Sequence, residues 1–446
     1  MTAATSQSWF QRVGSSLKVH NYRLYFIGQS ISVAGTWMQT LVLALLVLQL
    51  TGSGTDLGLV AAARLIPFVL LGPVGGVIAD RRDKRRLLYF TQSASALTAV
   101  AFTALTLTHT ITVPLVIALS LVSGCLTVLD NPARQSFIAE LVPREHLANA
   151  VTLNSVSVSL ARVVGSALGA TLVALVGLVV GFAFNALSFV AVLVSLALMR
   201  RGEMYPSPQL PRSRGQVRAG LRYATRTPTL ALPLLMVTVS GTLAYEFQVS
   251  LPLVARDAFR GDAATYGTMT AIMCLGAVVG GLTAAGRRHR LGGQALAVAA
   301  IGWGTAILAA SAAPSFALEL LALAFVGYGS ITFNAQAKTA LQLASEPSMR
   351  GRVMALWSMA WSGSTAIGGP LVGFVAEEFG SRWSLVIGGA PVLVLGIVAL
   401  PALRSLDRAK EQGSTAAPGA EAPRSVQAQA AQAAVHPTDD ERADAP

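Results

Sequence analysis

Twelve apolar runs, each long enough to cross a lipid bilayer, follow one another through most of this 446-residue chain. They lie near 24–50, 56–79, 87–108, 111–130, 152–176, 178–199, 230–254, 264–285, 293–312, 316–337, 353–377 and 383–403. About 20 apolar residues carry a helix across the hydrocarbon core, and a backbone surrounded by lipid must satisfy its own hydrogen bonds. The runs predict an all-α polytopic membrane protein, not the two or three soluble domains that length alone suggests. Composition agrees: 53% of residues are apolar and 12% charged, too little charge for a soluble surface. The first run is too long for a cleavable signal and is expected to remain as span 1. Cys125 and Cys274 fall inside apolar runs, without metal or disulfide spacing, and read as core residues. The five histidines are scattered. No metal, cofactor or catalytic cluster is expected, and the chain does not read as an enzyme.

A net charge of +12 raises the question of nucleic acid, but the distribution of charge answers it. With a cytoplasmic N-terminus, the alternate loops and the tail hold 28 of the 33 Lys and Arg. The opposite loops hold three (Arg256, Arg260 and Arg382), and Arg64 and Arg162 lie within spans. This is the positive-inside bias, and it predicts a multi-pass protein of the cell membrane with both termini cytoplasmic. The partners expected are the lipid bilayer and a small molecule. Nucleic acid is not among them, and the chain is expected to act as a monomer.

Residues 200–229 form a polar interruption that opens with three closely spaced prolines and continues with basic residues. The prolines prevent one continuous helix, and the basic part suits a membrane surface. Six spans precede this linker and six follow. The expected organisation is a six-helix bundle over 1–199, a cytoplasmic linker over 200–229, a second bundle over 230–404 and a disordered tail over 405–446. A shift of 203 residues places Asn131 on Asn334, Ser155 on Ser358 and Gly165 on Gly368, which supports a duplication.

Residues 72–88, GPVGGVIADRRDKRRLL, place small residues on one helical face and then an acid at the membrane boundary. Gly72, Gly75, Gly76 and Ala79 permit close helix approach, and Asp80 at that depth is costly unless paired. If the helix continues, Lys84 lies one turn on. The sequence GGVIADRRDKRRLL resembles the signature loop of the major facilitator superfamily, G-x-x-x-D-R-x-G-R-R-x-x-L. Gly76, Asp80, Arg81, Lys84, Arg85 and Leu88 match it, with Asp83 where glycine is usual. ISVAGTWMQTLVLALLVLQLTGS, LDNPARQSFIAELVPREHLANAVTLNSV and FNALSFVAVL are similar to the drug and siderophore exporter branch. That resemblance covers roughly residues 20–400. It implies twelve helices in two pseudo-symmetric six-helix bundles that rock about a central cavity to export amphipathic organic molecules, with proton antiport. It also implies that Asp80 latches onto the start of span 11, beside Arg350 and Arg352, to form an inner gate. Asp130 is a candidate partner for Arg81 or Arg85.

Three charges lie deep in the spans. Arg64 and Glu246 are each eight residues, about 12 Å, from the outer surface, and Arg162 is ten residues, about 15 Å, from the inner one. Each needs a cavity or a partner, and a shared cavity between the halves would suit all three. The arginines equally suit clamps on carbonyls. Glu246 is the candidate for proton coupling, because burial favours its neutral form and a neighbouring arginine its charged form. A glutamate that lines a hydrated vestibule without titrating fits the sequence as well. Trp37, Gln39, Tyr245, Gln248, Trp357 and Trp361 are candidates to contact an amphipathic cargo by stacking and hydrogen bonding. ARVVGSALG, with Gly165 and Gly169, and GGPLVG, with Gly369, Pro370 and Gly373, resemble the glycine-proline motif of antiporters and are expected to pack or kink their helices. Two other readings remain: a flippase or importer of anionic cargo, and a receptor that moves nothing.

Overall fold

The computed structural model describes residues 15–205, 216–286, 293–346, 349–363 and 365–415. Span 1 is His20–Thr51, span 2 Gly54–Arg81, span 3 Lys84–Leu107, span 4 Val113–Leu141, span 5 Arg144–Val176 and span 6 Leu178–Leu198. A short helix, Gln216–Arg226, precedes span 7, which has two parts, Pro228–Leu243 and Phe247–Asp257. Span 8 is Ala263–Gly286, span 9 Gly293–Ser311 and span 10 Phe316–Ala344. Span 11 is described over Arg350–Gly363 and Thr365–Phe379, and span 12 is Ser381–Thr415. Eleven segments among the described residues are long and apolar enough to cross a membrane. Span 11, described on either side of residue 364, is the twelfth. The chain is an integral membrane protein of twelve helices. Leu97, Leu187, Leu282 and Val398 remain exposed, as a surface facing lipid requires.

The two ends of the helices differ. The end carrying the basic loops is called here the basic end, and the opposite one the far end. Gly52 (φ 68°) ends span 1, Gly177 (φ 96°) turns span 5 into span 6, and Gly380 (φ 101°) turns span 11 into span 12. All three turns are at the far end, where a left-handed glycine allows an abrupt reversal. Gly177 and Gly380 are 203 residues apart, so the duplication extends to turn geometry.

Packing repeats in the same way. In the first half span 2 packs on span 4, span 3 on span 6 and span 1 on span 5. In the second half span 8 packs on span 10, span 9 on span 12 and span 7 on span 11. Spans 2 and 11 make one of the two main contacts between the halves and spans 5 and 8 the other, and the second part of span 7 also touches spans 1 and 2. The duplication exchanges the two main pairs, as a pseudo-twofold axis demands. Residues 206–215, with the linker prolines, lie outside the described residues, as do Arg287, Arg288, Arg290 and residues 416–446. Span 12 continues past residue 404, where a tail was expected, to Thr415. Asp407 holds it there by accepting the amides of Gly293 (3.0 Å) and Gln294 (2.9 Å) at the start of span 9.

Candidate functional site

The centre of the second half is organised by the break in span 7. The amides of Ala244 and Tyr245 both reach the carbonyl of Ser240, at 2.8 and 3.2 Å, and the helix resumes with Val249 and Ser250 bonded to the Glu246 carbonyl. Irregular backbone in mid-membrane is tolerated where protein surrounds it or a cavity opens beside it. The break turns Tyr245 and Glu246 to different neighbours. Tyr245 donates its hydroxyl to the Ser330 carbonyl (2.7 Å). Its ring lies 3.9 Å from that of Trp361 and 4.6 Å from that of Trp303, between centroids. Trp357 stacks on Trp361 at 6.1 Å, and the Lys338 ammonium sits 5.5 Å over the Trp357 ring.

Glu246 is buried against span 11. A Cβ added to Gly368 would lie 2.9 Å from Glu246 Oε1, and one added to Gly369 would lie 3.6 Å from Oε2. The two glycines therefore make room for the carboxylate. The broken span 7 thus meets the glycines of span 11 around one acid, an arrangement suited to ion coupling. Gln248 is exposed on the second part of span 7.

In the first half, the Arg162 guanidinium lies 4.2 Å over the Trp37 ring, and its Nε has no hydrogen-bond partner among the described residues. Its charge acts on Tyr245 and Cys274 of the second half. Arg64 is placed differently. It donates to Thr40 Oγ1 (3.0 Å) and lines a polar cavity of about 220 Å³ within the first half, with Gln39, Gln92, Asp130, Arg134 and Asn185. Gln39 accepts from the Asn185 amide. The three deep charges do not share one cavity. Arg64 points into its own bundle, Arg162 lies toward the second half and Glu246 packs on span 11.

At the basic end, span 2 stops at Arg81 and Asp83 caps span 3, accepting the Arg86 amide at 3.0 Å. The acid that replaces the usual glycine is thus a helix N-cap. The helix does not continue into span 3, and Lys84 pairs with Glu140 of span 4. Arg85 is buried and donates to the Leu196 carbonyl at the end of span 6 (Nε, 3.0 Å), filling one of that helix's open acceptors. Asp130 accepts from Thr91 (2.8 Å) and Gln92 (2.7 Å) and pairs with Arg134, one turn along, at 3.4 Å. The expected pairing of Asp130 with Arg81 or Arg85 is corrected accordingly. Arg81 is exposed, and Arg85 is held by span 6. Arg350 donates to the Gln342 carbonyl (3.2 Å) and Arg352 to Met349 Sδ (2.9 Å), both within the second half. The Asp80 side chain lies outside the described residues. Gly75 of the small-residue face packs on Val128 of span 4, with Gly76 half-buried beside it, and Gly72 meets open space.

Gly165 and Gly169 fit span 5 against Ala34 and Met38 of span 1, within the first half. Gly369 and Gly373, which flank Pro370, cross between halves and meet Gly58 and Gly54 of span 2. The spacing G-x-x-x-G in both segments was a legible signal for this contact that the sequence reading did not use. Also missed were Trp303, fully buried beside Tyr245, and Glu377, which reaches span 2. Glu319, at the start of span 10, is fully buried, and neither carboxylate oxygen has a hydrogen-bond partner among the described residues.

Comparison with known proteins follows the same lines. The sequence profile of the family described as "Transmembrane secretion effector" matches residues 14–435. The enterobactin exporter EntS of Shigella flexneri is 27% identical over 413 residues, 91% of this chain and 97% of that protein. The uncharacterized MFS-type transporter YfiS of Bacillus subtilis (strain 168) is 30% identical over 216 residues, about half of each chain (47% and 51%). Among solved structures, the nucleoside transporter NupG superposes with a TM-score of 0.65 at 16% identity, over 87% of this chain and 98% of that one. A bacterial homolog of the human lysosomal transporter Spinster, in an inward-facing and unoccupied conformation, superposes with a TM-score of 0.63 at 14% identity, over 86% and 94%.

Proposed function

Because this chain belongs to the transmembrane secretion effector family of major facilitator transporters, we propose that it is a secondary active exporter of amphipathic organic molecules, driven by proton antiport. That it transports small molecules and catalyses no chemical conversion follows from the family. Export is supported by the likeness to an enterobactin exporter along nearly the whole of both chains. The observation that carries coupling is the meeting of the broken span 7 with Gly368 and Gly369 of span 11 around buried Glu246, with Tyr245 turned into the tryptophan cluster beside it. Glu246 exchanges the proton, the aromatic groups hold the apolar part of the cargo, and rocking of the halves exposes each face in turn. Asp80 latches the inner gate when the basic end closes.

In this reading the basic end is cytoplasmic, with both termini there, and the far end faces outward. Residues 200–229 link two bundles, and the protein works as a monomer in the cell membrane. A second reading, anionic cargo, is favoured by Arg162 over Trp37 and Lys338 over Trp357. Each places a cation on an aromatic face.

One assay tests both readings. Inside-out vesicles are loaded with protons by respiration and challenged with macrolides, cationic dyes, siderophores and aromatic carboxylates. Cargo-provoked proton release in wild type, lost in Glu246→Gln, supports antiport. Release provoked by the anions alone selects the second reading. Silence from inserted protein across the panel removes both.

A further inference from the structure

At the outer end, spans 2 and 11 meet backbone to backbone. Gly54 and Gly58 face Gly373 and Gly369, each pair four residues apart. A Cβ on Gly54 would lie 2.7 Å from the Gly373 carbonyl oxygen, and one on Gly369 3.0 Å from that of Gly58. Paired small residues at this spacing allow the closest helix approach. One turn beyond Gly373 the seam ends at Glu377, whose Oε2 accepts the Ser53 hydroxyl (2.8 Å) and the Thr55 amide (2.9 Å). Thr55 supplies one of the first-turn amides that no intrahelical carbonyl can reach, at the positive end of span 2.

Within its own half little besides Arg256 favours an acid at this position. Glu377 occupies the last turn of its own helix, where unpaired carbonyls repel negative charge, and Glu378 follows it. Arg256 donates to the Gly52 carbonyl (2.9 Å) and pairs with Asp257. The larger favourable contacts come from Thr55 and Ser53 and are made when span 2 presents its N-terminus, which requires the outer end to be closed.

The geometry points to Glu377 as a positioning residue of the transport cycle: it latches the outer end shut while the inner end is open. This inference rests on the alternating-access reading and completes it. Spans 2 and 11 run antiparallel. Asp80, one residue before the end of span 2, is proposed to meet the start of span 11 at the inner face; Glu377, near the end of span 11, meets the start of span 2 at the outer face. Each helix thus lends an acid to the other's N-terminus, one contact per face. Rocking breaks one as it makes the other.

The test uses full-length protein in liposomes, with Cys125 and Cys274 replaced by alanine and spin labels at Thr110 and Ala312, both exposed at the outer end. Pulsed dipolar spectroscopy reads the ratio of long to short distances across that end. Glu377→Gln keeps the shape and removes the charge, and is expected to raise the ratio about threefold; Glu377→Asp raises it less. Thr55→Pro deletes the donor amide where the first helical turn tolerates proline. It is expected to shift the ratio in the same direction, and its combination with Glu377→Gln adds less than the sum. The Thr55 variant also decides the matter if the Glu377 variants fail to fold. An unchanged ratio in the single variants, or a fully additive double variant, overturns the latch while leaving the exporter reading intact. A single distance in wild type, without flux, overturns both.

Discussion

The two ends of the interface between halves are built from different materials. At the outer end contact is made by what is missing: four glycines bring two backbones together, and one carboxylate caps the seam. The inner end is rich in charge, yet its described charged groups turn into their own half. Lys84 binds Glu140, Arg134 binds Asp130, Arg85 binds the end of span 6, and Arg350 and Arg352 stay within the second half. A charge buried and released in every cycle would incur a desolvation cost each time. Charges that finish the ends of each bundle incur it once, at folding. An interface that must open is therefore better closed by shape and one cap than by a network of ion pairs.

The strongest way to break this comparison is to fill a glycine on each side of it. A side chain on Gly58 would collide with the Gly369 carbonyl across the halves, whereas one on Gly75 would collide with the Val128 carbonyl inside the first half. Gly58→Val is expected to oppose outer closure by about 3 kcal/mol, roughly a hundredfold in the closed population. Transport should fall by a similar factor while thermal stability in detergent stays near wild type. Gly75→Val should instead lower the unfolding temperature. Equal losses of stability in the two variants would show that spans 2 and 11 are permanent packing rather than a moving seam.

Next in size is Arg85→Gln. It leaves the span 6 carbonyls without their charged donor and is expected to cost about 1.5–3 kcal/mol of stability, read as a lower thermal midpoint. Flux per folded molecule should hardly change. Asp80→Asn should do the reverse, reducing flux about tenfold through a shift of roughly 1.4 kcal/mol in the conformational equilibrium, with insertion and midpoint preserved. Flux unchanged by Asp80→Asn would leave the inner end without its proposed latch and make the asymmetry between the ends complete.

Much of this was legible before any coordinates. Bilayer-length runs, the bias of arginine and lysine, and the 203-residue shift rest on patterns that lipid and chain duplication impose locally. The contacts were not legible, and for a physical reason. Arg85 carries the same signal whether it binds Asp130 or a span 6 carbonyl 111 residues away. The glycines of residues 72–79 and of residues 54–58 look alike, but only the second set faces the other half. Glu377 acquires a role from a serine 324 residues away, so no window of sequence contains it. Asp83 could have been read: an acid three residues before an amide at a helix start is a capping signal. The superfamily pattern drew attention to the missing glycine instead.

The smallest effect separates two capping acids of the outer end, Glu377 and Asp262. Asp262 also caps a helix, but its own: it accepts the Thr265 amide (3.1 Å) and hydroxyl (3.2 Å) at the start of span 8. The Thr265 amide, as the leading cause, holds its carboxyl below the usual carboxylate range. A carboxyl depressed on folding contributes stability above its unfolded value, near 3.9, and loses it as pH falls through the lower folded value. Asp262→Ala should therefore cost about 0.5–1 kcal/mol, constant between roughly pH 5 and 8, with the gap to wild type closing below about pH 4. Thermal midpoints of both proteins across that range measure it. The distance ratio between Thr110 and Ala312 should not move at any pH, because this cap joins nothing to the other half. If it moves as it does for Glu377→Gln, the outer end responds to any loosened helix start, and the distinction between a latch and an ordinary cap fails.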